Sequence, residues 1–235
     1  MRITFLILLI TLLYRFGYAQ CLKQEILDEG FLIKNFEHSE VIDVDEIERL
    51  DVFERKFWQK DSLIKDFKFI IPFDFKSGRV SMDSDYGIPV YGLPVGCLYF
   101  DCHRRWLTIY LYSKSKFELL NDEGGLEESI IKNITNYGKL PYFSDEPELA
   151  YTEIKMLKKF RIKKVEFILS RISYAYIDLI ESKVVKENIN IKAAIDKYPL
   201  KIMFREFFES PKMKKTNLIE VENEIDIDIN LEHDN

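Results

Sequence analysis

Between Trp106 and Ser170 the spacing of apolar residues changes period repeatedly, and this constrains the fold more than any other stretch of the chain. In WLTIYLYS, Leu107, Ile109 and Leu111 alternate with Thr108, Tyr110 and Tyr112. An extended chain therefore carries aliphatic side chains on one face and aromatic and polar ones on the other. Ser113-Lys114-Ser115 turns into a second strand at KFELL, and Asn121 to Gly125 carries strong turn chemistry. Beyond it Leu126, Ile130, Ile134 and Tyr137 recur at helical steps, the stripe of a helix that buries one side. In PELAYTEIKMLKKF, Pro147 suits a first turn, Ala150, Ile154 and Leu157 form an inner stripe, and basic residues crowd the end. That pattern predicts a second helix. Val165 to Leu169 then reads as a closing strand. Strand, strand, helix, helix, strand is the order of an α+β fold, a mixed sheet with helices packed on one face.

The flanks are less regular. Leu63 to Phe75 looks strand-like, with Pro72 at a strand end or an edge. Residues 20–80 form an acidic N-terminal region, residues 81–104 a Gly/Pro-rich loop marking a boundary, residues 105–210 the α+β core, and residues 211–235 an acidic tail. Within that tail Ile225, Ile227, Ile229 and Leu231 alternate with Asp226, Asp228 and Asn230. The alternation suits a strand docking on a sheet edge of its own domain or of a protein partner, and a solvated tail is the alternative.

The first nineteen residues are different in kind. Arg2 precedes an apolar run from Ile3 to Tyr14, and Gly17 and Ala19 are the small residues of a cleavage site. This is the layout of a secretory signal peptide, cleaved between Ala19 and Gln20, and the run is too short to cross a bilayer core. The expected product is exported, periplasmic or secreted, with no stable membrane insertion after cleavage. The alternatives are an uncleaved anchor lengthened by Phe16 to Ala19 and a lipid anchor at Cys21, and Gln20 is a poor residue before a lipid site. Loss of Arg2 and Arg15 lowers the basic count from 34 to 32 against 40 acidic residues, a net charge of −8. That balance argues against nucleic acid as a partner.

Three cysteines in an exported chain allow at most one internal bridge. Cys97 and Cys102 are close enough in sequence to pair across a tight turn, leaving Cys21 free or intermolecular. Cys97, Cys102 and His103 also make a Cys-Cys-His set, but no fourth ligand stands at a useful spacing, so no metal is expected. No cofactor motif is present: there is no Walker loop, no Gly-x-Gly-x-x-Gly, no Gly-x-Ser-x-Gly and no His-Glu-x-x-His. Asn133-Ile134-Thr135 is a glycosylation sequon set inside a predicted helix. Asp83, Asp85, Asp101 and His103 form the candidate polar cluster, since carboxylate pairs need no local motif.

Leu93-Pro94, then LTIYLYSKSKFELLN, then PELAYTEIKMLKKFRIKKVEF resemble the periplasmic domain of ExbD/TolR-type biopolymer transport proteins. The resemblance covers residues 93–170 and implies a strand pair and a helix, then a later helix leading into a closing strand. It also implies an envelope partner. The family's intramembrane acidic residue has no counterpart, because residues 1–20 contain no Asp or Glu, so proton coupling is not implied. Three functions follow from the sequence: a non-enzymatic exported binding component, an ExbD/TolR-like periplasmic accessory domain, or a carboxylate-dependent hydrolase.

Overall fold

The computed structural model describes residues 20–35, 39–41, 68–91, 106–112, 116–119, 124–156, 165–206 and 219–220. Residues 20–30 are helical (α1). The strands are β1 (Ser39–Val41), β2 (Lys68–Asp74), β3 (Arg79–Val80), β4 (Gly87–Tyr91), β5 (Leu107–Leu111) and β6 (Lys116–Leu119), followed by β7 (Tyr151–Met156), β8 (Lys201–Glu206) and β9 (Ile219–Glu220). The remaining helices are α2 (Leu126–Thr135), α3 (Glu166–Glu187) and α4 (Ile191–Lys197). Eight strands run in the order β1-β2-β4-β8-β7-β5-β6-β9, and β3 pairs with β2 to complete a nine-stranded sheet.

The four central strands are parallel, β4 to β8, β8 to β7 and β7 to β5, whereas β2, β6 and β9 join antiparallel. A parallel pair needs a crossover, and α3 with α4 supplies the one from β7 to β8. Alternation decides which face the helices cover. Phe69, Ile71, Ile88, Val90, Ile109, Ile154 and Ile202 from the sheet share one apolar cluster with Leu22 and Ile26 of α1, Ile130 of α2, Ile172 of α3 and Ala194 of α4. The fold is therefore α+β, a mixed sheet with its helices on one face. The cluster runs from Leu22 to Phe204, so α1, β2 and β4 belong to the same core as the central stretch.

Three expectations about elements need correction, and a fourth concerns Pro72. Tyr151–Met156 is an inner strand and not a helix. Pro147 opens a 3-10 turn, Pro147–Leu149, closed by the Ala150 amide on the Pro147 carbonyl. Thr152, Ile154 and Met156 then alternate with Tyr151, Glu153 and Lys155, a period of two that the apolar stripe at Ala150, Ile154 and Leu157 conceals. Val165 to Leu169, in turn, leads into α3 and forms no strand. Five apolar-rich residues cannot separate a strand from a buried helix segment. The continuation can, since Ile172, Tyr176, Leu179 and Ile180 are buried at helical spacing and Asn188 ends the helix in the left-handed region. Lastly, the 81–104 region is not wholly loop, because Gly87–Tyr91 lies inside the sheet.

Pro72 is neither at a strand end nor on an edge strand. Phe73 donates across to the Tyr86 carbonyl, so the Pro72 nitrogen faces the other way, past the end of β1, whose last residue pairs with Ile70. The one bond that proline cannot donate there, to the Ser81 carbonyl, is replaced: that carbonyl accepts from the Ser84 amide at 3.1 Å, and the Ser81 amide still donates to the Pro72 carbonyl at 3.2 Å. Opposite Pro72 stands Gly87. A Cβ on Gly87 would come within 2.1 Å of the Ile70 Cγ2 and 2.9 Å of the Ile33 Cγ1. Ile70 is branched at Cβ and fully buried, so it cannot swing aside. Gly87→Ala is expected to cost about 1–3 kcal/mol through overpacking, read as a lower urea midpoint at unchanged slope.

Candidate functional site

The face of the sheet turned away from the apolar cluster carries the polar chemistry. Strand register sorts it into rows. Tyr110, Lys155 and Arg205 stand side by side on β5, β7 and β8, and the next row holds Thr108, Glu153 and Met203. Tyr151 and Lys201 form a third. Glu153 is only 1% exposed. Its Oε1 accepts from the Arg205 guanidinium at 3.2 Å, and its Oε2 accepts from the Thr108 hydroxyl at 3.1 Å and pairs with the Lys155 ammonium at 3.2 Å. A carboxylate so buried is tolerated only when paired and hydrogen-bonded. Both cations remain in contact with solvent, 21% for the Lys155 side chain and 36% for that of Arg205.

Aromatic rings flank this centre. The Lys155 ammonium lies 5.3 Å from the Tyr110 ring centre, and that of Lys201 lies 5.2 Å from Tyr151 and 6.0 Å from Tyr91, in cation–π range. Trp106 packs on Tyr151 at 5.4 Å, and Tyr91 meets Tyr151 edge-on. Tyr112 donates to Glu118 at 3.0 Å; burial, and then the Glu118 carboxylate, push its hydroxyl up to about 12. Ion pairs and ring contacts thus fix the cationic and aromatic side chains in place. What the arrangement can do is present oriented donors and rings to a partner. Both oxygens of Glu153 are already engaged, by two cations and a hydroxyl.

A second network joins the end of α3 to α4. Glu187 accepts from Lys183 at 3.0 Å, Lys197 at 2.8 Å and the Tyr198 hydroxyl at 2.6 Å, and Tyr137 donates to Tyr198 at 3.0 Å. The Lys197, Tyr198 and Lys183 bonds together hold the Glu187 carboxyl down at about 2. With a folded value below the unfolded one, this contribution to stability is present above the usual carboxylate range and lost as pH falls through about 2. Tyr198 is itself 1% exposed, so the network clasps the end of α3 to α4.

No family model, curated protein or solved structure matches the chain. Function must therefore be argued from the site.

Of the residues singled out from the sequence, Asp83 and Asp85 are exposed in the turn between β3 and β4. Asp101, His103, Cys97, Cys102, Ile225, Ile227, Ile229 and Leu231 lie outside the described residues, as do residues 1–19. Cys21 is exposed, with its thiol 3.7 Å from the Glu25 carboxylate. Among the described residues no group of three His, Cys, Asp or Glu is placed to hold a metal, and no helix is long and apolar enough to cross a membrane. The sequon at Asn133 is closed in the folded chain. Asn133 is fully buried, its amide donates to the Tyr151 carbonyl at 3.1 Å, and its oxygen accepts from the Ser144 amide at 3.3 Å.

Sequence reasoning missed Glu153, Lys155 and Arg205. The usable signal was the alternation of Tyr151 to Met156, which sets Glu153 and Lys155 on the same face of a strand.

Proposed function

We propose that this chain is an exported α+β protein that acts without catalysis, by binding a protein component of the envelope or the extracellular space. Export is supported by Arg2, the apolar run from Ile3 to Tyr14 and the small residues Gly17 and Ala19. The observation that carries binding is the composition of the sheet face away from the helices. Tyr110, Tyr151, Lys155, Lys201 and Arg205 are half-buried there, set in rows by strand register. Tyr and Arg are enriched where proteins meet, and side chains already held by rings and ion pairs lose little freedom on binding. The net charge of −8 after removal of Arg2 and Arg15 from 34 basic residues against 40 acidic ones disfavours nucleic acid as the partner. The reading does not lean on the ExbD/TolR resemblance. Residues 93–170 contain a strand and then a helix where that resemblance implies a helix and then a strand.

The test is crosslinking of the purified exported chain with the extracytoplasmic fraction of its native host, followed by mass spectrometry. One saturable partner is expected, lost in a Tyr110→Ser/Tyr151→Ser variant that keeps its thermal transition. Capture that is unchanged in the variant, or no crosslinked protein at all, overturns the proposal.

A further inference from the structure

The geometry points to Gln20 as a modification site, the cyclised and blocked N-terminus of the exported chain. The inference rests on the export reading above, in which cleavage behind Ala19 frees the Gln20 α-amine. The residues that follow are tied to the body of the protein. Leu22 and Ile26 are buried in the core. Lys23 donates to Asp178 of α3 at 2.8 Å. The Gln24 amide donates to the Tyr86 hydroxyl at 2.6 Å and to Asp28 at 3.1 Å. Gln20 differs from Gln24: it is exposed, and its side-chain amide has no hydrogen bond among the described residues. Its carbonyl carbon is open to attack, whereas the Gln24 amide is occupied.

The reaction is intramolecular and balanced. The α-nitrogen forms a bond to Cδ as the bond from Cδ to Nε2 breaks. One amine proton passes to the leaving nitrogen, ammonia departs, and a five-membered lactam remains. No oxidant, reductant or co-reactant is needed.

The helix favours the product. The first four amides of a helix have no intrahelical acceptor, so the Gln20 nitrogen gives up no helical bond. A free α-amine would place positive charge at the positive end of α1, where residues 20–23 include no acid. The neutral lactam removes that repulsion. It also removes the amine that aminopeptidases recognise, a protection suited to an exported protein.

The test is intact-mass and N-terminal peptide analysis of the full chain expressed with its leader in the native host. The expected mass is that of residues 20–235 less one ammonia. The terminus should resist aminopeptidase until a pyroglutamyl peptidase removes residue 20, and a Gln20→Ala variant should be cleaved at the same bond yet carry a free amine. A cleaved chain with an unmodified Gln20 amine refutes cyclisation and leaves export standing. Retention of residues 1–19, or a lipid on Cys21, overturns the export reading and this inference with it.

Discussion

Asn136→Ala is expected to destabilise the protein by about 3 kcal/mol, because one buried side chain holds an entire connection. Asn136 is 5% exposed and follows the last residue of α2. Its amide nitrogen donates to the carbonyls of Leu140 at 2.9 Å, Phe143 at 3.2 Å and Ser144 at 2.9 Å, and its oxygen accepts from the Leu140 amide at 2.8 Å. The backbone there cannot pair with a strand, since Tyr137 and Gly138 both take positive φ and Pro141 lacks an N–H. Truncation leaves buried carbonyls without donors, at about 1–3 kcal/mol for each group that water fails to reach. Asn136→Asp separates this account from simple loss of volume. An ionised carboxylate keeps the shape but offers no donor to three carbonyls. It should be at least as costly as alanine at neutral pH and recover in part on acidification, when a protonated carboxyl regains one O–H. Chemical denaturation of both variants at neutral and acidic pH measures this. A loss below about 1 kcal/mol for Asn136→Ala would mean that water replaces the amide.

Little of this was visible in the sequence, and the reason is physical. β5, β6 and α2 are local patterns, legible because one face of each is apolar and the other is not. β7 was obscured by its position. An inner strand between β5 and β8 uses both faces, one against the apolar cluster and one against Thr108 and Arg205. A Glu and a Lys in its centre then read as the solvent side of a helix. The same holds for α3, where burial on several sides weakens the helical stripe at its start and leaves VEFIL looking like a strand. Asn133 appeared as part of a sequon in a helix and Asn136 was not singled out, because their partners, Tyr151, Phe143 and Ser144, become neighbours only after the chain has turned back. Glu153 depends on Arg205, fifty-two residues away, and no local window contains that pairing.

The Glu153 centre makes a prediction in which removing the more exposed partner does more harm than neutralising the buried one. Arg205→Met leaves a carboxylate that is 1% exposed with only Lys155 and the Thr108 hydroxyl. Breaking a fully buried pair costs about 3–5 kcal/mol. Arg205 is 36% exposed along its side chain, so solvent already screens part of the attraction and about 2–3 kcal/mol is the reasonable expectation. Glu153→Gln removes the charge from the buried site and leaves two cations that reach water at 21% and 36% exposure. Its amide oxygen still accepts one hydrogen bond, so the cost should be nearer 1 kcal/mol. The double variant should then be more stable than Arg205→Met alone, because the uncompensated carboxylate has gone. Urea unfolding of the four proteins in the cycle gives the coupling directly, expected at about 1 kcal/mol or more. Additive losses would mean that Lys155 and the Thr108 hydroxyl satisfy Glu153 without Arg205. A coupled cycle would instead leave Arg205 as a fixed donor at the rim, and a partner would meet it already oriented by the carboxylate beneath.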